Sequence, residues 1–225
     1  MTATKYKADD RIGQLKLSIA LQFLPDLPPI PQKDYRLIVL DPPWLFSLRE
    51  ADKTHRGRCS YPSMKDEEIL KMPIYDIAHE HAYVLLWVTN NHQYLGFRCL
   101  EKWGFTHRST FTWEKVTKDG RPHIGMGHYG RNCTEHFLVA TKGEPGSFST
   151  HGLTNIPNII RARRGKHSQK PEEFWTIANQ LAEKLENCEE LGQLSQPSRI
   201  ELFARQQRSN WDCWGAEAEP VDASL

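Results

Sequence analysis

Asp41-Pro42-Pro43-Trp44 puts a carboxylate, two carbonyl oxygens and a flat indole into four consecutive residues. Neither proline carries an N–H, and each has its φ fixed. A carboxylate and a carbonyl can accept the two hydrogens of an amine, and an indole can stack on a base. The set therefore suits an amino group on an aromatic base. The tetrapeptide follows Leu37-Ile38-Val39-Leu40, an apolar run that predicts a buried strand of a parallel sheet. It stands where such a strand ends and its loop begins, which is where open α/β sheets place their ligands.

A second group lies far along the chain. His167-Ser168-Gln169-Lys170-Pro171 immediately precedes an amphipathic stretch. Pro171 suits a first helical turn. Lys170 then stands at the helix start, able to hold an anion near the positive end of the dipole. About thirty residues later, Arg199-Ile-Glu-Leu-Phe reads as a strand that runs into Ala204-Arg205-Gln206-Gln207. Those polar groups are expected at the carboxyl edge of the sheet, on the rim that carries Asp41.

The intervening elements must hold these groups together. Tyr83 to Val88, Thr106 to Trp113, His136 to Thr141 and Ile156 to Arg161 predict further strands. A short helix over 64–71 is expected, with Ser63 as its cap. His92 to Trp103 predicts a helix that stops at Gly104. Over Glu172 to Glu190, the residues Phe174, Ile177, Ala178, Leu181, Ala182 and Leu185 recur at helical spacing and mark a core face. Strands alternating with helices give an α/β fold with a mostly parallel sheet. The expected organisation is an N-terminal arm over 1–34, one domain over 35–215 and a tail over 216–225. Two polar segments, Leu45 to Ser60 and Lys118 to Asn132, read as candidate substrate loops.

Composition sets outer bounds. The chain has 225 residues and a formal net charge of +1, so bulk charge selects no partner. Five cysteines, at 59, 99, 133, 188 and 213, form no C-x-x-C pair. This predicts reduced thiols in a cytoplasmic protein rather than a disulfide framework or a zinc site. The histidines form no H-E-x-x-H cluster, so no metal is expected; His79 and His81 read as a solvated connection into the next strand. No membrane span and no secretory signal are expected.

The order Asp-Pro-Pro-Trp, His-Ser-Gln-Lys-Pro and Glu-Leu-Phe-Ala-Arg resembles S-adenosylmethionine-dependent amino methyltransferases of permuted motif order. More closely, the chain resembles the family named for the catalytic subunit of the eukaryotic mRNA adenosine methyltransferase, as a bacterial or phage-type member. The resemblance covers roughly 35–215. It includes Tyr61-Pro-Ser-Met, Leu86-Trp87-Val88-Thr89, Thr134-Glu135-His136 and Asn210-Trp211.

That resemblance implies a Rossmann-like fold and methylation of the exocyclic amine of adenine in nucleic acid, DNA ahead of RNA, with S-adenosylmethionine as cofactor. Asp41 and the Pro42 carbonyl would accept the amine hydrogens, in a catalytic set of Asp41, Pro42, Pro43 and Trp44. Trp44 would stack on the adenine. Tyr61 and Glu135 would line the base pocket. Lys170 would bind the cofactor carboxylate, beside Asp41. Glu201, Phe203, Arg205 and Gln207 would hold its ribose and adenine ends. Arg163, Arg164 and Lys166, with Arg161 and His167, form a cationic stretch suited to a phosphate backbone. A base in a duplex must be flipped to reach such a site. The chain departs from the family at Ala216, where a polar Asn is frequent, and its loop before Tyr61 is longer and more basic. The alternatives are an RNA adenosine methyltransferase and a non-catalytic nucleic-acid-binding partner subunit. A homodimer or a partner subunit is compatible with either.

Overall fold

In the computed structural model, residues 30–31, 33–45, 63–127, 129–165, 169–192, 197–216 and 218 are described. Tyr61, Lys166, His167 and nearly all of the 1–34 arm, the 46–60 loop and the 216–225 tail lie outside them.

The apolar run becomes strand β1, Tyr35–Leu40, with all six residues buried. It is central because both of its faces are apolar. Strand β2 (Ala78–Val88) pairs with it in parallel on one side and β6 (Arg199–Leu202) on the other. Beyond β6 lies β7 (Asp212–Trp214), also parallel. On the other flank, β4 (Thr134–Lys142) pairs antiparallel with both β2 and β3 (Thr106–Val116). Strand β5 (Ile159–Arg163) closes that side, parallel to β3. The seven-stranded order is β5-β3-β4-β2-β1-β6-β7. Among these strands β4 alone runs in reverse. Its amino end therefore reaches the rim where β1, β2 and β6 end.

Helices cover both faces. On one side α1 (Asp66–Leu70), α2 (Ile74–Ile77) and α3 (Gln93–Lys102) contribute Ile69, Ile74, Ile77, Leu95, Cys99 and Leu100 against Ile38, Leu40, Val84, Leu86, Ile200 and Leu202. On the other side α4 (Glu172–Glu186) lays Phe174, Ala178, Leu181 and Leu185 over Leu37, Val39, Trp87 and Phe137. Each such fully buried apolar side chain stabilises the fold by about 1.5–3 kcal/mol relative to exposure. The helical period over 172–186 is thus a core face. Gly104 follows α3 at φ +73°, where its own conformation ends the helix.

Arg36 is, with Arg199, one of the large polar side chains buried in this interior. It is 1% exposed and donates from Nη1 to the Leu185 carbonyl at 2.7 Å and from Nη2 to the Gly192 and Leu191 carbonyls. The Leu185 carbonyl belongs to the last turn of α4, and the Leu191 and Gly192 carbonyls to the turn that follows it. One end of β1 is thereby tied to one end of α4.

Several boundaries differ from the sequence reading. Helix α1 starts at Asp66, too late for Ser63 to cap it. The Glu68 carboxylate accepts the Lys65 N–H at 2.8 Å instead. Helix α4 stops at Glu186, where Asn187 turns its amide back onto the Glu183 carbonyl at 2.8 Å. Strand β2 begins at Ala78, which pairs with Tyr35, so His79 and His81 belong to the strand rather than to a connection before it. Strand β5 lies later than 156–161 because its partner is the far end of β3. Strand β7 has three residues, too few to show a period.

Candidate active site

Asp41 leaves the carboxyl end of β1, and Lys170 stands just before α4. They meet: Lys170 Nζ lies 3.0 Å from Asp41 Oδ2. The same ammonium donates to Glu135 Oε2 at 3.1 Å, and Lys115 Nζ donates to Glu135 Oε1 at 2.5 Å. Two carboxylates and two ammonium groups from β1, β3, β4 and the head of α4 form one chain of charge, Asp41–Lys170–Glu135–Lys115. The indoles beneath it are Trp87, 4.7 Å from Lys170 Nζ, and Trp113, 4.9 Å from Lys115 Nζ.

Burial and pairing compete at each group. Burial pushes the Asp41 carboxyl above its ordinary range, against the pull of Lys170, and the charge of Glu135 adds to the rise. Burial also pushes Glu135 upward, but Lys170 and Lys115 outweigh it and hold that carboxyl down at about 2. Burial pulls Lys170 down, but Asp41 and Glu135 outweigh it and keep the ammonium above the ordinary lysine range. The two carboxylates are therefore pushed apart, with Glu135 the firmly ionised one.

The tetrapeptide is braced from below. The Pro42 carbonyl accepts the Trp44 N–H at 2.8 Å, and the Pro43 carbonyl accepts the Met64 N–H at 2.9 Å. A carbonyl has two lone pairs, so Pro42 keeps one for another donor. Trp44 is 3% exposed, and its Nε1 donates to the Trp87 carbonyl at 3.2 Å. Its ring lies parallel to His92, 5.4 Å between centroids at 15°. The indole expected to face a base is buried in the free protein, where its Nε1 bond ties it to β2.

Cofactor candidates divide. Glu201 on β6 is bound by Arg208, whose Nε donates to Oε2 at 2.7 Å, and burial raises its carboxyl in spite of that partner. The Arg208 guanidinium lies 3.4 Å from the centre of the Trp175 ring. Phe203 follows β6 at φ +63°, a conformation uncommon for any residue with a Cβ. That bend turns the chain, and the Ala204 N–H bonds the Trp214 carbonyl at 2.9 Å. Gly215 lies against the same turn: a Cβ there would be 2.2 Å from the Ala204 carbonyl oxygen. Arg205 is partly buried and close enough to lower the Asp41 carboxyl, whereas Gln207 is exposed.

The described members of the cationic stretch differ in their surroundings. Arg161 is held by Glu114 on β3 at 2.7 Å, while Arg163 and Arg164 are exposed. Strand β5 is four strand spacings from β1, roughly 19 Å. Nearness to Lys170 in sequence therefore does not put these arginines beside Asp41.

Six further side chains complete the rim. His92 Nε2 lies 3.1 Å from the Leu45 carbonyl, which can only accept, so Nδ1 takes the Thr89 hydroxyl proton at 2.7 Å. Asn90 donates to the Thr134 carbonyl at 3.0 Å, and its Oδ1 faces His136 Nε2 at 2.9 Å. His136 Nδ1 is 3.0 Å from the Thr112 hydroxyl. Burial lowers the His136 ring, with Glu135 opposing, so a neutral imidazole fits the network. Lys115 completes the set. No spacing in the sequence marks Lys115, because only the β3–β4 register brings it to Glu135. The Thr-Asn pair after β2 carried the better signal, two hydrogen-bonding side chains at a strand end. Among the described residues, no three His, Cys, Asp or Glu side chains gather as a metal site.

The chain matches the family model described as MT-A70 over residues 35–217. It is 25% identical over 207 residues to the Type II methyltransferase M.MunI of Mycoplasma sp, covering 84% of this chain and 80% of that protein. It is 26% identical to the N(6)-adenosine-methyltransferase catalytic subunit METTL3 of Homo sapiens and 27% identical to the METTL3 subunit of Danio rerio. Each of these covers 83% of this chain, which spans only 29% and 28% of their respective lengths.

Proposed function

The chain belongs to the MT-A70 family, and on that premise we propose that it is an S-adenosylmethionine-dependent methyltransferase acting on the exocyclic amine of adenine in nucleic acid, DNA ahead of RNA. The observation that carries this reading is the convergence of Asp41, Glu135 and Lys170 on one rim, within 3.1 Å of a shared ammonium.

The residues present fit the cofactor. Its carboxylate calls for a cation, and Lys170 uses two of its three N–H donors on Asp41 and Glu135. Its ribose calls for an acceptor, and Glu201 is a half-buried carboxylate on the adjacent strand. A Cβ on Gly215 would meet the Ala204 backbone, so the chain after β7 packs directly on the turn that follows β6. When bound, S-adenosylmethionine supplies an electrophilic methyl group that the amine nitrogen displaces from sulfur, leaving a neutral thioether.

The remaining work belongs to the chain. Asp41 and the second lone pair of the Pro42 carbonyl accept the amine hydrogens. This favours a tetrahedral nitrogen whose lone pair is less delocalised into the ring. Asp41 is also the base beside the proton that the product amine must lose. Lys170 holds Asp41 in place and balances its charge, so that orientation supplies much of the acceleration. Glu135, firmly ionised between two lysines, fixes Lys170 in turn. Trp44 supports the tetrapeptide through its bond to β2.

DNA is proposed first because the similarity extends over most of the Type II methyltransferase and over under a third of METTL3, whose name specifies the ribonucleoside. The similarity to METTL3 itself favours the second reading, RNA. The test is methyl transfer from labelled S-adenosylmethionine to duplex DNA, single-stranded DNA and RNA, read out as modified nucleosides, with Asp41→Ala in parallel. Methylated adenine in one polymer, lowered by at least about 10³-fold in the variant, supports the reading. Cofactor binding without transfer to any polymer rejects it for the chain on its own.

A further inference from the structure

Resting on the reading of this site as one that acts on adenine, we propose that residues 118–132 form the element that enters duplex DNA and displaces the target base. In this proposal Tyr129 and Met126 occupy the opened stack, and Lys118, Arg121 and Arg131 hold the flanking phosphates.

Position comes first. The segment joins the carboxyl end of β3 to the amino end of β4, so it leaves the sheet on the rim of Asp41 and Lys170. Its two roots are parts of the site. Lys115 bonds Glu135 at 2.5 Å, and Asn132 accepts from Asn90 at 3.3 Å.

The segment is braced by its own backbone. The His123 N–H bonds the Lys115 carbonyl at 2.7 Å, and the Gly125 N–H bonds the Asn132 carbonyl at 2.8 Å. The Asn132 N–H bonds the Met126 carbonyl at 3.0 Å, and Arg131 Nε donates to the Gly125 carbonyl at 2.6 Å. A Cβ on Gly127 would fall 1.8 Å from the Gly130 carbonyl oxygen, so the tip closes only because glycine stands there.

On this braced tip the apolar side chains point outward. Tyr129, Met126 and Ile124 are 108%, 61% and 58% exposed. Tyr129 gains no burial from folding, Met126 and Ile124 keep more than half of their exposure, and exposed apolar groups of this kind mark interaction surfaces. The same segment carries three cations, Lys118, Arg121 and Arg131, against one acid, Asp119. The Arg121–Asp119 contact is 3.4 Å between highly exposed groups, a pair worth little in water, so Arg121 remains open to a phosphate. Apolar wedges flanked by cations are how proteins unstack DNA steps. Extruding a base costs a few kcal/mol, and aromatic stacking returns about 1–3 kcal/mol per base. A second copy of this chain would bring the same positive charge to the contact.

The experiment compares the full chain with Tyr129→Ala, Met126→Ala and the double variant on native and heat-denatured genomic DNA. Duplex affinity is measured at several salt concentrations and sedimentation velocity in parallel. The expected result is a loss of about 10–100-fold on native duplex for the double variant, under about threefold on denatured DNA, from the stacking magnitude above. Lys118→Ala with Arg131→Ala should lower the salt slope of duplex binding by about 2. Equal losses on both substrates, no loss, or wild-type transfer confined to single strands or RNA would overturn the loop's role. So would a variant that changes oligomeric state together with activity, which assigns the loop to a second copy. A wild-type chain inactive on every polymer fails the underlying reading instead. The loop is then judged on duplex affinity alone, and affinity unchanged by the substitutions overturns it.

Discussion

At one end of the β1–α4 pair, Arg36 donates to the Leu185, Leu191 and Gly192 carbonyls; at the other, Lys170 lies between the Asp41 and Glu135 carboxylates. Both cations are buried along the same axis, and both tie strand to helix. Their partners differ. Carbonyl oxygens do not titrate, and these come from the last turn of α4 and the turn after it, so Arg36 holds that connection against β1. Carboxylates titrate, come from two separate strands and accept other donors, so Lys170 sits in an arrangement that a ligand can rearrange. The protonation equilibria follow the same division. Burial lowers the Arg36 guanidinium, whereas two ionised partners raise the Lys170 ammonium. A buried cation satisfied by backbone signals architecture, and one satisfied by carboxylates at a sheet's carboxyl edge signals chemistry.

The sharpest way to break this comparison is to remove each cation in turn. Lys170→Met should lower methyl transfer by about 10³-fold or more while costing about 1–3 kcal/mol, since Asp41 keeps 24% side-chain exposure and can rehydrate. Arg36→Leu should leave turnover within about twofold below its melting temperature and cost about 3 kcal/mol or more, through orphaned carbonyls. That is a fall in Tm of roughly 6–12 °C for a domain of this size. Equal catalytic losses in the two variants would erase the distinction.

Acid titration sharpens it. The folded Glu135 carboxyl is held down from an ordinary 4.5 to about 2. A lowered folded value contributes stability that is present above the unfolded value and is lost as pH falls through the folded one. The loss should thus run from about pH 4.5 to 2 and amount to at most about 3 kcal/mol. Asp41 acts in the opposite sense, because its folded value is raised: its contribution is present below the unfolded value and is lost as pH rises through the folded one. Urea unfolding at several pH values should show a flatter acid limb in Glu135→Gln than in the wild type. Identical limbs would remove Glu135 from the charge chain.

A smaller effect is expected at Trp44. Trp44→Phe removes the Nε1 bond to the Trp87 carbonyl but keeps an aromatic ring, at a cost of about 1–2 kcal/mol. If the indole supports the tetrapeptide from the interior, turnover falls along with stability. If a base displaces His92 from it, KM for nucleic acid rises while turnover at saturation is kept, at the same cost in stability. The smallest effect belongs to Arg163→Ala with Arg164→Ala, which should lower the salt slope of nucleic-acid binding by about 2 and leave cofactor binding intact. An unchanged slope would confine backbone contacts to other cations.

The sequence was most informative where local physics is enough. An apolar run bounded by Asp-Pro-Pro places Asp41 at a strand end. Helical spacing from Phe174 to Leu185 places Lys170 at a helix start. Six strands and the two main helices were legible for the same reason, since pleat and helical periods are written residue by residue. β7 was not, because three residues carry no period. The helix ends drifted where a side-chain amide or a carboxylate, rather than propensity, set the terminus. Trp44 read as a platform for a base because its type suits one, and nothing local shows that its own Nε1 ties it to β2.

The motif residues, their order and their family are properties of the chain alone. The tertiary structure decided which of them share a charge. The reversal of β4 carries Glu135 to the rim of Asp41, the β3–β4 register adds Lys115, and the strand order sets Arg163 four strands from β1. Register and strand direction are fixed by pairing across the sheet between residues scores of positions apart. That is a cooperative outcome of burying two apolar layers at once, and no window of sequence contains it.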